Sequence, residues 1–292
     1  MNIWEGVSEF VTVAERGSFT LAASSLDVSV AQVSRQVSQL EKRLNTKLLY
    51  RTTRKVSLTA EGETYYQHCR QILNDLKDAE RALGNLKDTP QGSIKLTAPV
   101  MYGEKYIQPL IHDFMLLHPA IDVVSNLTNQ QLDLVEGGYD IAIRLGKLKD
   151  SSLMAKPIGQ RNYRVCASPE YLKHHGTPHS LTELNRHNCL MGQHSYWRFD
   201  DNQKEKTIKV TGNLTCNSGY GLVDAALKGI GMVQLPSYYL DQHIKHGKLV
   251  EVLTQHRIKA ETIWAVYPNN RHLSAKIRQL VAFLQQNLES QS

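Results

Sequence analysis

Apolar residues recur at helical spacing through the first 45 positions. Ile3, Val7, Phe10, Val11 and Ala14 share one face and predict a helix over residues 3–15, which "RGS" breaks. Ser18 is placed to cap a short helix over residues 19–26. After the tight turn "LDVS", Ser29 caps a third helix. In it Val30, Val33, Val37, Leu40 and Leu44 step by 3, 4, 3 and 4, one stripe that faces a core. Two short helices joined by a tight turn, the second polar on its outer side, form a helix-turn-helix. "KLLYRTTRKVSLT" then alternates and is rich in β-branched residues, so it predicts a short hairpin or wing with "RTTRK" at its tip.

A long helix follows, with Thr59 as its cap. Tyr65, Cys69, Ile72, Leu76, Ala79, Leu83 and Leu86 are spaced 4, 3, 4, 3, 4, 3, a heptad seam. From Thr59 to Lys87 the helix would run roughly 40 Å at ~1.5 Å per residue. A seam this narrow favours pairing with another helix, most simply its own copy, so these seven residues are the expected dimerisation contacts. "DTPQGS" (88–93) is a hinge and a domain boundary. Beyond it "SIKLTAP", "IDVVSNLT", "YDIAIRLG", "NYRVCAS", "TIKVTGNLTCN", "GMVQLP", "KLVEVL" and "ETIWAVYP" read as strands. "EKYIQPLIHDFMLLHP", "QQLDLVEGG", "PEYLKHH", "GYGLVDAALKG" and a final stretch to Leu288 read as helices. Such alternation predicts α/β layers on a largely parallel sheet, in two lobes with a cleft between them. Ligands in such sheets sit beyond the carboxyl ends of strands.

Charge changes this picture in one place. Residues 1–34 hold one base (Arg16) and four acids (Glu5, Glu9, Glu15, Asp27), net −3. Residues 35–55 hold seven bases (Arg35, Lys42, Arg43, Lys47, Arg51, Arg54, Lys55) and one acid (Glu41), net +6. The outer face of the third helix carries Ser29, Gln32, Ser34, Arg35, Gln36, Gln39 and Arg43, with Glu41 its only acid. A basic block beside a polar helix is the footprint of a nucleic-acid surface. Three cations and two hydroxyls at the wing tip suit phosphate contact, which needs charge and donors without sequence discrimination.

The remaining composition excludes more than it adds. The 292 residues allow more than one domain, and no run approaches the ~18 apolar residues of a membrane span. The N-terminus lacks a basic stretch followed by an apolar one, so no signal peptide is expected and the cytoplasm is. Cys69, Cys166, Cys189 and Cys216 are scattered, which indicates neither a disulfide framework nor a zinc site. There is no GxSxG, HExxH or P-loop, and the pairs Gly219–Gly221 and Gly229–Gly231 are too little for a dinucleotide fingerprint. A binding protein without catalytic residues, metal or cofactor is expected, not an enzyme.

The stretch "GSFTLAASSLDVSVAQVSRQVSQLEKRLNTKLLYRTTRKVSLTAEGETYY" resembles the N-terminal domain of LysR-type transcriptional regulators. The resemblance extends along the chain through "QGSIKLTAPVMYGEKYIQPL", "DLVEGGYDIAIRLG", "DSSLMAKPIGQ" and "GLVDAALKGIGMVQLP". "YRTTR", "TAPV" and "DIAIRLG…DSSL" resemble the CrgA-like branch. The implied fold is α/β overall: an all-α winged helix-turn-helix (1–58), a linker helix forming a dimerisation coiled coil (59–88), and an effector domain (89–292) like the periplasmic binding proteins. Lobe I would take about 89–162 and 268–292, and lobe II about 163–267. The implied partners are double-stranded promoter DNA, a small-molecule effector, further copies of the chain (homodimer, then homotetramer) and RNA polymerase.

Ser34 and Arg35 match the family's "SRQ". Many members carry Gln-Pro before it, where this chain has Val30 and Ala31, so base reading shifts to Gln32, Ser34, Arg35, Gln36 and Gln39. Arg51, Arg54 and Lys55 would position the backbone. The family's ligand hydroxyls after the first strand are replaced by Pro99, Val100 and Met101, which weakens the case for a small carboxylate effector. Thr97, Val100, Met101, Thr128, Asn129, Arg144, Asn217, Gln234 and Pro236 remain as candidate pocket residues. Arg144, at a strand end, suits an anion or an internal salt bridge with Asp140 or another acid. Two alternatives stay open: an α/β solute-binding or enzymatic domain with an N-terminal oligomerisation arm, and a redox-sensing regulator using Cys166, Cys189, Cys216 or Met101.

Overall fold

The computed structural model describes residues 3–51, 56–84, 90–148, 152–268 and 273–289. Helix α1 spans Val7–Arg16, starting later than its apolar spacing predicts. Gly6 precedes it at φ 82°, and a Cβ there would meet the Gln36 carbonyl oxygen at 2.4 Å. The chain passes so close to the third helix that only glycine fits, and Ile3 is left 76% exposed. Helix α2 (Phe19–Leu26) and helix α3 (Val30–Leu44) start at the expected caps. Ser18 Oγ accepts from Leu21 N at 3.4 Å and Ser29 Oγ from Gln32 N at 3.1 Å. Val33, Val37 and Leu40 are buried among Val7, Phe10, Val11, Ala22 and Ala23. Val30 is not part of that stripe: it is exposed, because the first residue of a helix leans back past the end of the core.

Strands β1 (Leu49–Arg51) and β2 (Val56–Leu58) pair antiparallel, with Leu49 opposite Leu58 and Arg51 opposite Val56. This is the wing; Arg54 and Lys55 at its tip lie outside the described residues. Helix α4 (Ala60–Gly84) is capped by Thr59, whose Oγ1 accepts from Gly62 N at 2.8 Å and donates to Lys47 O at 2.7 Å. A Cβ on Gly62 would lie 1.9 Å from the Leu48 carbonyl oxygen, so α4 rests directly on the wing.

The heptad seam divides. Cys69 is buried, and Tyr65 packs with its ring centroid 5.7 Å from that of Phe10, so both belong to the core of the N-terminal domain. Ile72 and Leu76 are 44% and 47% exposed. Tyr65 and Cys69 are thus covered by α1, while Ile72 and Leu76 are left uncovered in the single chain. Ala79 and Leu83 follow on the same helix; Leu86 lies outside the described residues. On another side α4 meets the following domain. Arg70 Nη2 is 3.5 Å from Ser93 Oγ, and Lys95 Nζ donates to Gln67 Oε1 (3.3 Å) and Gly137 O (2.7 Å).

Strand β3 (Gly92–Ala98) leads into α5 (Val100–Tyr102), a π-helical turn over Gly103–Ile107, and α6 (Gln108–Leu117). Then come β4 (Ile121–Leu127), β5 (Ile141–Leu145), β6 (Met154–Arg161), β7 (Tyr163–Ala167), α7 (Pro169–His175), β8 (Cys189–Leu190), β9 (Tyr196–Asp201) and β10 (Lys204–Lys209). The chain ends with α8 (Gly219–Leu227), β11 (Met232–Pro236), α9 (Ser237–Lys245), β12 (Val250–Val252), β13 (Glu261–Tyr267) and α10 (Ala275–Glu289). One sheet runs β4-β3-β5-β13-β6, with β3 parallel to both β4 and β5. The second runs β12-β7-β11-β8; β7 is antiparallel to β11 and β12, and only β8 with β11 is parallel. The expected parallel pairing is found for β3 with β4 and β5 in the first sheet and fails for most of the second, since apolar patterning carries no information on strand direction.

Further elements differ from the sequence reading, among them β6 and β8, which it did not contain. "QQLDLVEGG" is a turn, not a helix: the Asp133 carboxylate accepts from Val135 N and Glu136 N, a local bond that competes with helical pairing. The expected strand "TIKVTGNLTCN" is strand only at its start, where Thr207–Lys209 ends β10, and its hairpin partner β9 was not anticipated; Asn202 and Gln203, both at positive φ, make the turn, which without an Asn-Gly pair leaves little trace in the sequence. Helix α9 follows Pro236 directly and was also unanticipated.

The chain clusters into two compact units. Residues 1–144, 149–156 and 264–287 form the first; 145–148, 157–263 and 288–292 form the second. The chain passes from one to the other within β5, β6, β13 and the last turn of α10, among other places.

Candidate nucleic-acid interface and effector residues

The apolar stripe of α3 fixes which side of the helix faces out. Arg35 and Gln39 are exposed, together with Ala31 and Ser38, while Gln32, Ser34 and Gln36 are half-buried. Gln36 is less accessible than its spacing suggests: its Oε1 is buried and has no partner among the described residues. Glu41 departs further. The one acid assigned to the outer face is 3% exposed. Its Oε1 accepts from Leu48 N (3.0 Å) and Leu49 N (3.1 Å), and its Oε2 from Lys47 Nζ (2.9 Å) and Arg51 Nη2 (3.3 Å). Burial works against the charge. The bonds from Lys47, Leu48 and Leu49 and the Arg51 cation outweigh it and hold the carboxyl below its ordinary range. The outer face of α3 is thus free of acid altogether. Sequence reasoning placed Glu41 on the wrong side; its isolation among cations was the available signal.

Arg51 was expected on the wing as a phosphate contact. Its guanidinium instead turns back to the helices, with Nη1 3.5 Å from Ser34 Oγ and Cζ 4.9 Å from the centroid of Phe19.

In the first unit, the candidate pocket residues gather where β3, β4 and β5 end. Asn129 Oδ1 accepts from Val100 N at 3.1 Å, and Thr128 Oγ1 from Gln130 N at 3.1 Å. Thr97 and Met101 are buried and belong to the interior. Thr97 sits inside the sheet, in register with Asn126 and Ala142. Arg144 is half-buried and donates to Leu132 O at 2.7 Å. The salt bridge with Asp140 is not formed; the Asp140 carboxylate accepts from Lys95 N at 2.7 Å. Burial lowers the Arg144 pKa from its ordinary value, with no carboxylate partner among the described residues.

In the second unit, Asn217 is exposed, and Pro236 is buried at the end of β11. Gln234 is engaged within the protein. Its Oε1 accepts from Arg198 N (3.0 Å) and its Nε2 donates to Arg198 O (2.6 Å), so both ends of the amide are committed to β9. The near-buried Glu261 carboxylate takes two bonds from Arg161 (2.9 and 2.7 Å) and is also paired with Arg198. A shallow hollow, too small for a ligand, is lined by Tyr163, Arg164, Gln234, Glu251, His256 and Arg257 among others. Cys166 and Cys189 are buried, and burial pushes each thiol up to about 12, which removes the thiolate that oxidants attack.

Among the described residues no helix is long and apolar enough to cross a membrane, and no cluster could hold a metal ion. Residues 5–63 match the model of the bacterial regulatory helix-turn-helix protein, lysR family, and residues 87–289 match the LysR substrate binding domain. An HTH-type transcriptional regulator of Haemophilus influenzae is 36% identical over 95% of this chain and 98% of its own. The transcriptional activator TtdR of Escherichia coli K12 is 32% identical over 97% and 94%. Among solved structures, CrgA of Neisseria meningitidis is 34% identical over 97% and 98% of the two chains, with a TM-score of 0.60. The virulence activator AphB of Vibrio cholerae is 28% identical over 97% and 98%, with a TM-score of 0.58. A DNA-binding helix-turn-helix followed by an α/β effector-binding domain, matched along its length by such regulators, makes this chain a member of the LysR-type family of transcriptional regulators and not an enzyme.

Proposed function

We propose that this regulator reads promoter DNA through the outer face of α3 and answers to an anionic effector held near Arg144. The observation that carries the DNA reading is the acid-free face of α3, its single acid turned inward to Leu48, Leu49, Lys47 and Arg51. Ser29, Gln32, Ser34, Arg35 and Gln39 lie toward the major groove, with Arg35 as the principal base contact and Gln36 in a lesser part. The wing cations Arg54 and Lys55 hold phosphates. Pairing through Ile72, Leu76, Ala79 and Leu83 sets two recognition helices in successive grooves about 10 base pairs apart. The working division is 1–58, 59–88 and 89–292, in a cytoplasmic homodimer that assembles into a tetramer and meets RNA polymerase at the promoter.

Gel shifts on duplexes selected by the wild-type protein from a random pool test the DNA reading. Arg35→Ala is expected to relax base preference by about tenfold at one position per half-site; an unchanged preference removes Arg35 from the readout. For the effector, Val100, Thr128, Asn129 and Arg144 line the strand ends. A half-buried guanidinium with no carboxylate partner among the described residues favours an anion. Melting temperatures in sulfate, phosphate and a panel of small carboxylates test this. An anion-induced rise present in the wild type and absent in Arg144→Gln is expected; an equal rise in both places the anion elsewhere.

A further inference from the structure

We propose that Arg51 is a base-reading residue of the DNA interface and that Glu41 is the buried residue that positions it. A wing arginine that only neutralises phosphate needs charge and reach, and gains nothing from being fixed. Arg51 is fixed from three sides, each belonging to a different part of the helix-turn-helix. Its Nη2 is 3.3 Å from Glu41 Oε2 in the last turns of α3. Its Nη1 is 3.5 Å from Ser34 Oγ in the first half of the same helix. Its guanidinium carbon lies 4.9 Å from the centroid of Phe19, the first residue of α2. These restraints bring the cation from β1 to the helix face beside Ser34, a residue already placed at the groove.

Glu41 suits the positioning role because little of it is free to move. Its carboxylate is 2% exposed as a side chain, and Oε1 is occupied by two backbone N–H groups. Lys47 shares Oε2 but is 78% exposed, whereas Arg51 is 32% exposed. A guanidinium offers five N–H donors in a rigid fork. Two serve Ser34 and Glu41 here, which leaves three for DNA. A fork held in one orientation loses little freedom on binding and can meet the two acceptors of a guanine edge together. Lysine at the same place would keep the charge and lose the fork. The substitution therefore separates reading from neutralisation.

The experiment uses the full-length protein and the selected duplexes, with every single-base variant of one half-site measured by fluorescence anisotropy across a salt series. Arg51→Lys is expected to lose about tenfold discrimination at one base pair per half-site, with the slope of log affinity against log salt unchanged. Unchanged discrimination in Arg51→Lys, with Arg51→Ala weakening all duplexes equally, overturns the proposal and returns Arg51 to the phosphates. Glu41→Gln is expected to lose discrimination at the same base pair, and Glu41→Gln combined with Arg51→Lys to lose no more than Arg51→Lys alone. An additive loss in the pair, or a wild-type profile in Glu41→Gln, removes the positioning role. If Glu41→Gln does not fold, Phe19→Leu withdraws a different restraint and leaves the buried carboxylate in place. It is expected to weaken discrimination at that same position, and a wild-type profile counts against the proposal.

Discussion

At the scale of single residues, burial decides which titratable groups take part. Glu41 has its carboxyl held below the ordinary value of 4.5, so its stabilising contribution is present above that value. It fades as pH falls through the lower folded value, where the unfolded chain has already taken up its proton. Glu41→Gln is expected to cost about 1–3 kcal/mol at neutral pH. The gap between variant and wild type should stay constant above pH 4.5 and narrow below it, as read by urea denaturation; a gap that widens on acidification contradicts the sign. The thiols give a second expectation. Cys166 and Cys189, pushed up to about 12, and the buried Cys69 should be silent to Ellman's reagent in the folded protein. Cys216, only partly buried, should supply the fast-reacting thiol. A fast thiol that survives Cys216→Ser refutes this.

At the scale of elements, close approach and covered faces matter more than propensity. Gly62 opens α4 against the wing, where a methyl group would fall 1.9 Å from the Leu48 carbonyl oxygen. Gly62→Ala has to push helix and strand apart. A loss of about 2 kcal/mol is expected by urea denaturation, although alanine favours helices elsewhere. For the dimer, Leu76→Asp is expected to give monomers by light scattering, since Leu76 is exposed in the single chain and packs nothing of its own core. A persisting dimer moves the interface off α4. The caps Ser18, Ser29 and Thr59 were legible because a side chain bonding to the next turn is a local event, and all three bond as expected. The division of the seam was not legible. Tyr65 and Cys69 keep the same heptad spacing as Ile72 and Leu76, yet α1 covers only the first pair.

For the whole molecule, placement of charge and direction of strands set what it does. The +6 block of residues 35–55 stands against a net −3 in residues 1–34. With two such blocks in a dimer, affinity for DNA is expected to fall about a thousandfold or more between 50 and 200 mM salt. A shallow dependence by anisotropy would mean that few phosphates are met. The sequence by itself determined the helix-turn-helix, the wing, the long helix and the alternation of the effector domain. Periodicity, caps and turn residues report on neighbours within a turn or two of the chain, and that is where these features are made. Tertiary structure alone decided the rest. It turned Glu41 inward, brought Arg51 across to Ser34 and Phe19, committed Gln234 to Arg198, gave Arg144 the Leu132 carbonyl, and set β7 antiparallel to β11. Each of these joins segments distant along the chain, and no local pattern encodes which distant group will fill a given hydrogen bond.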